Sequence, residues 1–193
     1  MKRKVWLCCG VLRNEIESFF ALSGLEDELV FFDSMLHMKP KCIERNLRDY
    51  LGEKLQEDSS AIIIYGDCCP GMLEIEKMAS VCRVQALNCA QLLLGPSKYR
   101  ELIREGAYFL LPEWLLRWRE VFEKEMGMDR QNLCCLMNEN HQFLVYLDTG
   151  LKKVPAKELQ ECSRYLEMKC RIESIDLKIL YDRLNDLAQN SPQ

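Results

Sequence analysis

The chain has 193 residues, of which 48% are hydrophobic, and this is enough for a buried core in one large domain or in two small lobes. Its 26 basic and 30 acidic residues give a net charge of -4. Binding to bulk nucleic acid needs a concentrated positive surface that displaces phosphate counterions. The charge balance therefore argues against a nucleic-acid partner.

The amino-terminal stretch starts with basic residues before an apolar run, as a signal peptide does. Arg13, Asn14 and Glu15 interrupt that run at once, and no small-residue cleavage site follows. No later segment is apolar over a membrane-spanning length. We therefore expect a cytoplasmic protein that has no membrane partner.

Short apolar runs alternate with longer stretches of helical periodicity along the whole chain, which is typical of strands joined by crossover helices. Helices are predicted between the strands, including one that Pro40 opens and one that is entered through Pro112 and runs to Met126. The predicted strands are residues 5–9, 28–32, 61–65, 81–86, 108–111, 143–147 and 171–175.

This alternation predicts an α/β fold with a largely parallel, Rossmann-like sheet and flanking helices, in one body or in two lobes. We expect residues 1–127 to form the main α/β domain with a cysteine cleft. Residues 128–193 are expected to form a carboxyl-terminal α/β lobe or a continuation of the sheet.

The eleven cysteines are too sparse for a small secreted disulfide scaffold and lack its regular spacing, so reduced thiols or metal ligands are favoured. Three of them fall at or just beyond the carboxyl ends of predicted strands: Cys9, Cys68 and Cys89. His37 follows the second predicted strand. In an open parallel sheet these ends lie on one side, where ligands bind at a topological switch point.

Thiolate and imidazole suit zinc, copper or an iron-sulfur cluster, whereas magnesium and calcium prefer oxygen ligands. The sequence therefore predicts a soft-metal site, zinc or an iron-sulfur cluster, with Cys9, Cys68 and Cys89 as ligands and His37 as the candidate fourth. His37 has an equal alternative, in which it caps the next helix or forms a hydrogen bond within its loop.

Cys68 lies in a turn of small and rigid residues, from Gly66 to Gly71, that leads into a helix. Backbone amides at a helix amino terminus favour an anion and lower the pKa of a thiol, so Cys68 is also the candidate catalytic thiolate. We assign cofactor contacts to Gly66 and Asp67 in this turn and to Asn88, which precedes Cys89. The turn lacks the GxxxxGK[ST] pattern of a phosphate loop.

Packing is the alternative explanation for every cysteine, because free cysteine often behaves as a small buried hydrophobe. We expect it for the cysteines that lie within helical or strand patterns, namely Cys42, Cys82, Cys162 and Cys170. Conventional hydrolysis is disfavoured, since the chain has no GxSxG elbow and no convincing histidine partner for a cysteine nucleophile.

Several short motifs carry a resemblance over most of the chain: Cys9-Gly10, Leu36-His37, Tyr65-Gly66 with Cys68, Asn88-Cys89 with Leu92-Leu93-Leu94-Gly95, Tyr99, Tyr108, Trp114 and Leu147-Asp148-Thr149-Gly150. In their order and spacing the chain resembles the domain-of-unknown-function family numbered 1638, which is common in anaerobic bacteria and methanogenic archaea. Many relatives have a His-Asp-Cys triplet where this chain reads Leu87-Asn88-Cys89. The resemblance thus implies that one potential ligand is replaced here.

The resemblance also implies a role beside corrinoid-dependent methyl transfer in anaerobic one-carbon metabolism, with a corrinoid protein or a methyltransferase as partner. Our leading hypothesis is a metal- or iron-sulfur-binding protein that supports this chemistry. One alternative is a methyl- or sulfur-transfer enzyme without a metal, in which Cys68 is the nucleophile. Another is a non-catalytic interaction or cofactor-delivery module, in which the aromatic helix around Trp114 binds a partner.

Overall fold

The computed structural model describes residues 3–55 and 59–190, which form two compact units. The first unit combines Met1–Leu92 with Lys178–Gln193, and the second is Leu93–Leu177. The division therefore lies earlier than the expected one after residue 127, which falls inside the second unit. The helix at the carboxyl-terminal end of the described chain also belongs to the first unit. The sequence could not predict this, because the periodicity of a helix shows which of its faces is apolar but not which sheet that face covers.

The first unit contains a four-stranded sheet in which all strands are parallel and follow the order β2-β1-β3-β4. The strands β1 and β3 are buried along most or all of their length, as their continuous apolar runs predict. Its strands are β1 (Arg3–Cys9), β2 (Glu28–Phe32), β3 (Ser59–Ile64) and β4 (Val81–Arg83). This topology confirms the predicted α/β class and is consistent with a Rossmann-like fold.

Helices cover this sheet with apolar side chains at helical spacing: α1 (Arg13–Ser23), α2 (Pro40–Asp49), α3 (Met72–Glu76) and α8 (Lys178–Asn190). On α1 the buried face includes Phe19 and Phe20, and the ring of Phe20 meets Trp6 of β1 edge to face at 5.2 Å. Helix α8 reaches the same helix, because the Tyr181 hydroxyl donates to Ser18 Oγ at 2.9 Å.

The second unit has its own three-stranded parallel sheet in the order β5-β6-β7. Its strands are β5 (Ala107–Leu110), β6 (Phe143–Asp148) and β7 (Cys170–Ser174). Its helices are α5 (Pro112–Leu116), α6 (Arg130–Asn140) and α7 (Ala156–Leu166). Of the two arrangements expected for the carboxyl-terminal part, the described strands thus form a separate sheet and do not extend the first one.

The predicted continuous helix from Pro112 to Met126 is wrong. Helix α5 ends at Leu116, and a separate π-helical turn covers Glu120–Glu125. Helix α6, which the sequence patterns did not indicate, begins at an Asp129 cap whose carboxylate accepts from the backbone N–H of Asn132 at 3.0 Å.

The chain passes from the first unit to the second within α4 (Cys89–Arg104). This helix is interrupted at Gly95, whose φ of 73° lies in the left-handed region that favours glycine. Among the described residues, no helix is both long enough and apolar enough to cross a membrane.

Candidate metal centre

Three candidate ligands converge at the carboxyl edge of the first sheet. Cys9 is the last residue of β1, His37 lies in a short 3₁₀ helix after β2, and Cys89 is the first residue of α4, which follows β4. In the order β2-β1-β3-β4, the connection after β1 runs to one edge of the sheet and the connection after β3 runs to the opposite edge. A crevice therefore forms between the carboxyl ends of β1 and β3. One ligand atom from each residue lies within 4.8 Å of the other two.

Gly10 allows the end of β1 to lie close against the end of β2. A Cβ at this position would lie 2.6 Å from the carbonyl oxygen of Phe32 and 3.3 Å from the backbone nitrogen of Ser34. Any side chain would push the two strand ends apart. The glycine thus helps to bring Cys9 near the loop that carries His37.

The ring of His37 is held in a defined orientation by its own loop. The 3₁₀ helix Ser34–Met38 begins at Asp33, whose carboxylate accepts from the backbone N–H of Met35 at 2.9 Å. Nδ1 of His37 lies 2.9 Å from the carbonyl oxygen of Ser34 and 3.9 Å from Cys9 Sγ. In metal-bound histidines such a carbonyl accepts from the ring nitrogen that does not bind the metal, which here leaves Nε2 for an ion. The hydrogen bond within the loop is therefore present, and the assignment of His37 as a metal ligand stays a prediction.

Cys89 is positioned by the amino terminus of α4. Asn88 Oδ1 accepts from the backbone N–H of Gln91 at 3.0 Å, and the backbone N–H of Leu87 donates to Gln91 Oε1 at 2.8 Å. These paired bonds fix the first turn of the helix in the manner of a capping box. Leu87, directly before Asn88, is 54% exposed.

Gly66 brings the loop after β3 against this helix start. A Cβ at Gly66 would lie 2.5 Å from both Leu87 O and the Cα of Asn88. The backbone N–H of Asp67 donates to Leu87 O at 2.9 Å, and its carboxylate pairs with Arg83 at 3.0 Å. Gly66, Asp67 and Asn88 therefore have structural contacts that place the site, while their assignment as cofactor contacts stays a prediction.

Cys68 lies beside the cluster but not within it. It is half-buried, and among the described residues it is not one of the ligand atoms that fall within 4.8 Å of one another. Its side chain does interact with His37, because a hydrogen bond to Cys68 is among the causes that raise the pKa of the imidazole. The structure thus brings Cys9, His37 and Cys89 together and leaves Cys68 next to the histidine.

The electrostatics of the cluster favour a charge-separated pair. Burial alone would raise the pKa of the Cys9 thiol, but hydrogen bonds from Cys89 and His37 and the charge of His37 lower it to about 5. Burial alone would lower the pKa of His37, but hydrogen bonds to Cys68 and Cys9 and their charges raise it to about 11. Cys9 is thus a thiolate beside an imidazolium at neutral pH.

Cys89 is the neutral member of the cluster. Its hydrogen bond to Cys9 and its burial raise its pKa well above the ordinary value, and the negative charge of Glu15 adds to this effect. The Cys89 thiol therefore donates to the Cys9 thiolate. A metal that binds all three residues must displace the protons of Cys89 and His37.

Two further residues at this site were not expected from the sequence. Tyr65, directly after β3, is 1% exposed, and its ring stacks on that of His37 with centroids 6.1 Å apart and 19° between the planes. Glu15 is also buried, in α1. The signal in the sequence is the position of Glu15 one helical turn before Phe19, although Glu15 also interrupts an apolar run.

The remaining cysteines agree with reduced thiols. All eleven are free, and Cys42, Cys82, Cys162 and Cys170, expected to be packing residues, lie outside the ligand cluster. Two sulfurs and one imidazole nitrogen are a donor set suited to zinc and related metals.

Residues 31–184, most of the chain, match the family model described as a protein of unknown function, DUF1638. The chain belongs to this family. No curated protein and no solved structure matches the chain.

Proposed function

We propose that this member of the DUF1638 family is a metal-binding protein that holds a zinc-like ion through Cys9, His37 and Cys89. The observation that carries the proposal is the convergence of these three donors within 4.8 Å, although they lie at or after the ends of three different strands of the first sheet. A crevice at the switch point of a parallel sheet is also where α/β proteins bind their ligands.

The number of ligands favours a site with an exchangeable position. Structural zinc sites are closed by four protein ligands, whereas catalytic zinc sites have three and keep the fourth position for water or substrate. Cys68, whose side chain interacts with His37, is the candidate for that position when no other ligand is bound. An iron-sulfur cluster would require Cys68 as a full ligand, so the three-residue cluster gives more support to zinc.

The role of the metal stays a prediction. The family resemblance implies support of corrinoid-dependent methyl transfer, with a corrinoid protein or methyltransferase as partner. An ion with two thiolates, one imidazole and an open position is suited to binding and activating a small ligand, and this chemistry is compatible with such a role.

The proposal is tested by metal content after anaerobic purification and by cobalt(II) titration, in which thiolate ligation gives an intense absorption band in the near ultraviolet. We expect about one metal per wild-type chain and its loss in a Cys9→Ser/Cys89→Ser variant. Cys135→Ser is the matched control, because Cys135 is exposed and lies in the second unit. Negligible metal in wild type and equally weak cobalt binding in all three proteins would reject the proposal.

A second candidate function is a thiol-based group transfer without a metal. It is supported by the Cys9 thiolate beside the His37 imidazolium, which is the arrangement of an activated cysteine nucleophile. Against it stands the complete burial of Cys9, whereas the half-buried Cys68 is more accessible. Absence of metal together with rapid alkylation of Cys9 or Cys68 by iodoacetamide at mildly acid pH would favour this second function.

A further inference from the structure

The hydroxyl group of Tyr65 has no hydrogen-bond partner among the described residues, although it is buried. Other tyrosines of the first unit have one: the Tyr50 hydroxyl donates to Glu28 Oε1 at 3.2 Å, and the Tyr181 hydroxyl donates to Ser18 Oγ. A buried hydroxyl without a partner destabilises a fold, so its presence calls for a specific reason.

The location of Tyr65 supplies that reason. In the parallel register Cys8 pairs with Ile64, so Tyr65 stands beside Cys9 at the end of the neighbouring strand. The Tyr65 ring stacks on His37 and meets Phe32, which pairs with Cys9 from the other side, at a centroid distance of 6.4 Å.

We propose that the Tyr65 hydroxyl donates a hydrogen bond to a small anionic ligand that occupies the fourth coordination position of the metal. This inference rests on the proposed function and specifies the class of ligand at the same site. The ligand binds the metal through an oxygen, nitrogen or sulfur atom that carries negative charge and accepts from the phenol. Neutral ligands without an acceptor atom gain nothing from Tyr65.

The test uses the full-length protein loaded with cobalt(II), with azide as the anionic probe. Azide binding is followed by the visible absorption bands of cobalt, in wild type, in Tyr65→Phe and in the matched control Tyr181→Phe. We expect all three proteins to bind cobalt equally. Azide should bind Tyr65→Phe about tenfold more weakly, the loss expected for one hydrogen bond to a charged acceptor, and should bind the control like wild type.

Stability of the metal-free proteins is an independent readout. Tyr65→Phe removes a buried hydroxyl that lacks a partner among the described residues, so its urea midpoint should equal or exceed that of wild type, whereas Tyr181→Phe should lower the midpoint. Equal azide affinity in wild type and Tyr65→Phe, or a lower midpoint for metal-free Tyr65→Phe, would overturn the inference while the metal site stands. Absence of cobalt bands in wild type would overturn the proposed function itself.

Discussion

The three candidate ligands carry different charges before a metal binds. Cys9 is a thiolate, His37 is an imidazolium and Cys89 is a thiol. Hydrogen bonds from Cys89 and His37 lower the pKa of Cys9, hydrogen bonds to Cys68 and Cys9 raise that of His37, and the hydrogen bond to Cys9 together with burial raises that of Cys89. Without a metal, Cys9 and His37 therefore form a buried ion pair, and the Cys89 thiol donates a hydrogen bond to it. Metal binding has to replace this hydrogen-bonded arrangement.

This charge pattern predicts proton release on metal binding. Cys9, with a pKa of about 5, has no proton to lose at neutral pH, whereas His37, with a pKa of about 11, and Cys89 each lose one. We expect release of about two protons per metal and an affinity that rises about a hundredfold per pH unit between about pH 6 and 8. Calorimetry of zinc binding in two buffers with different ionisation enthalpies measures this number.

The control for proton release is Cys135→Ser, which should behave like wild type, since its thiol lies outside the cluster. Release of less than one proton, or an affinity that does not change with pH over this range, would contradict the charge states assigned to His37 and Cys89.

At the same scale, sequence reasoning identified Cys9, His37 and Cys89 because each follows a strand whose apolar run is easily recognised. It could not separate Cys68 from them, since the path of a loop after a strand is not encoded in periodicity. The role of Tyr65 could not be predicted from the sequence for a different reason. A hydroxyl without a hydrogen-bond partner among the described residues is recognised only when the positions of all neighbouring polar groups are known.

Among the elements, the turn that carries Cys68 depends on β4. The guanidinium of Arg83, whose side chain is 3% exposed, pairs with Asp67 at 3.0 Å and with Glu76 at 2.7 Å. It also donates to the carbonyl oxygen of Tyr65 at 3.3 Å. One buried side chain on an edge strand therefore connects the beginning of the turn to α3.

This arrangement predicts a pH-dependent loss of stability in Arg83→Met. We expect the free energy of unfolding to fall by roughly 2 kcal/mol at neutral pH, between the values for exposed and fully buried ion pairs. Burial alone would raise the pKa of Glu76, but hydrogen bonds from Arg83 and Gln85 lower it from its ordinary value of 4.5. The stabilisation is therefore present above about 4.5 and is lost as the pH falls through the lowered pKa.

Urea unfolding at neutral and at acid pH measures this difference. The gap between wild type and Arg83→Met should narrow at acid pH, and Arg48→Met, which removes a more exposed pair with Glu44, should show a smaller effect at both. A gap that stays constant on acidification would show that Arg83 stabilises the fold through packing or its bond to the Tyr65 carbonyl and not through Glu76.

The strands could be predicted well and the connecting helices less well, for physical reasons. A strand such as β3, with six consecutive buried residues, leaves a continuous apolar signature. Helix α6 buries only Leu133, Cys134 and Met137 of its eleven residues, so its apolar periodicity is weak. No glycine or proline marks the break after Leu116, since the next glycine is Gly127 and the next proline is Pro155.

The whole molecule consists of two compact units, and all three candidate ligands lie in the first. The expected boundary after residue 127 followed from a glycine after a helical pattern. The division between the two units falls within α4, whose first residues belong to the first unit and whose later residues belong to the second. A helical pattern continues through this point without a linker composition, so the sequence gives no sign of the boundary.

This division predicts where a bound metal changes hydrogen exchange. Zinc at about a hundred times its dissociation constant stabilises the state that binds it by about 2.7 kcal/mol. We expect slower exchange in the first unit, most of all at the end of β1, in the loop around His37 and at the start of α4. The second unit should keep its exchange rates and serves as an internal control.

Mass spectrometry of deuterium uptake with and without zinc provides the measurement, and the Cys9→Ser/Cys89→Ser variant should show no difference in either unit. Equal slowing throughout both units would contradict the assignment of the metal to the first one.

Helix α8 closes the first unit from the far end of the chain. Helix α8 begins at Lys178, 89 residues after Cys89, so a ribosome that adds about 5–20 residues per second completes the strands and ligands of the first sheet about 4–18 s before it reaches this helix. During that interval the carboxyl edge of the first sheet, with Cys9, His37 and Cys89, exists without the last helix of its unit. Synthesis itself thus leaves an interval in which the thiols of Cys9 and Cys89 are less covered than in the finished unit.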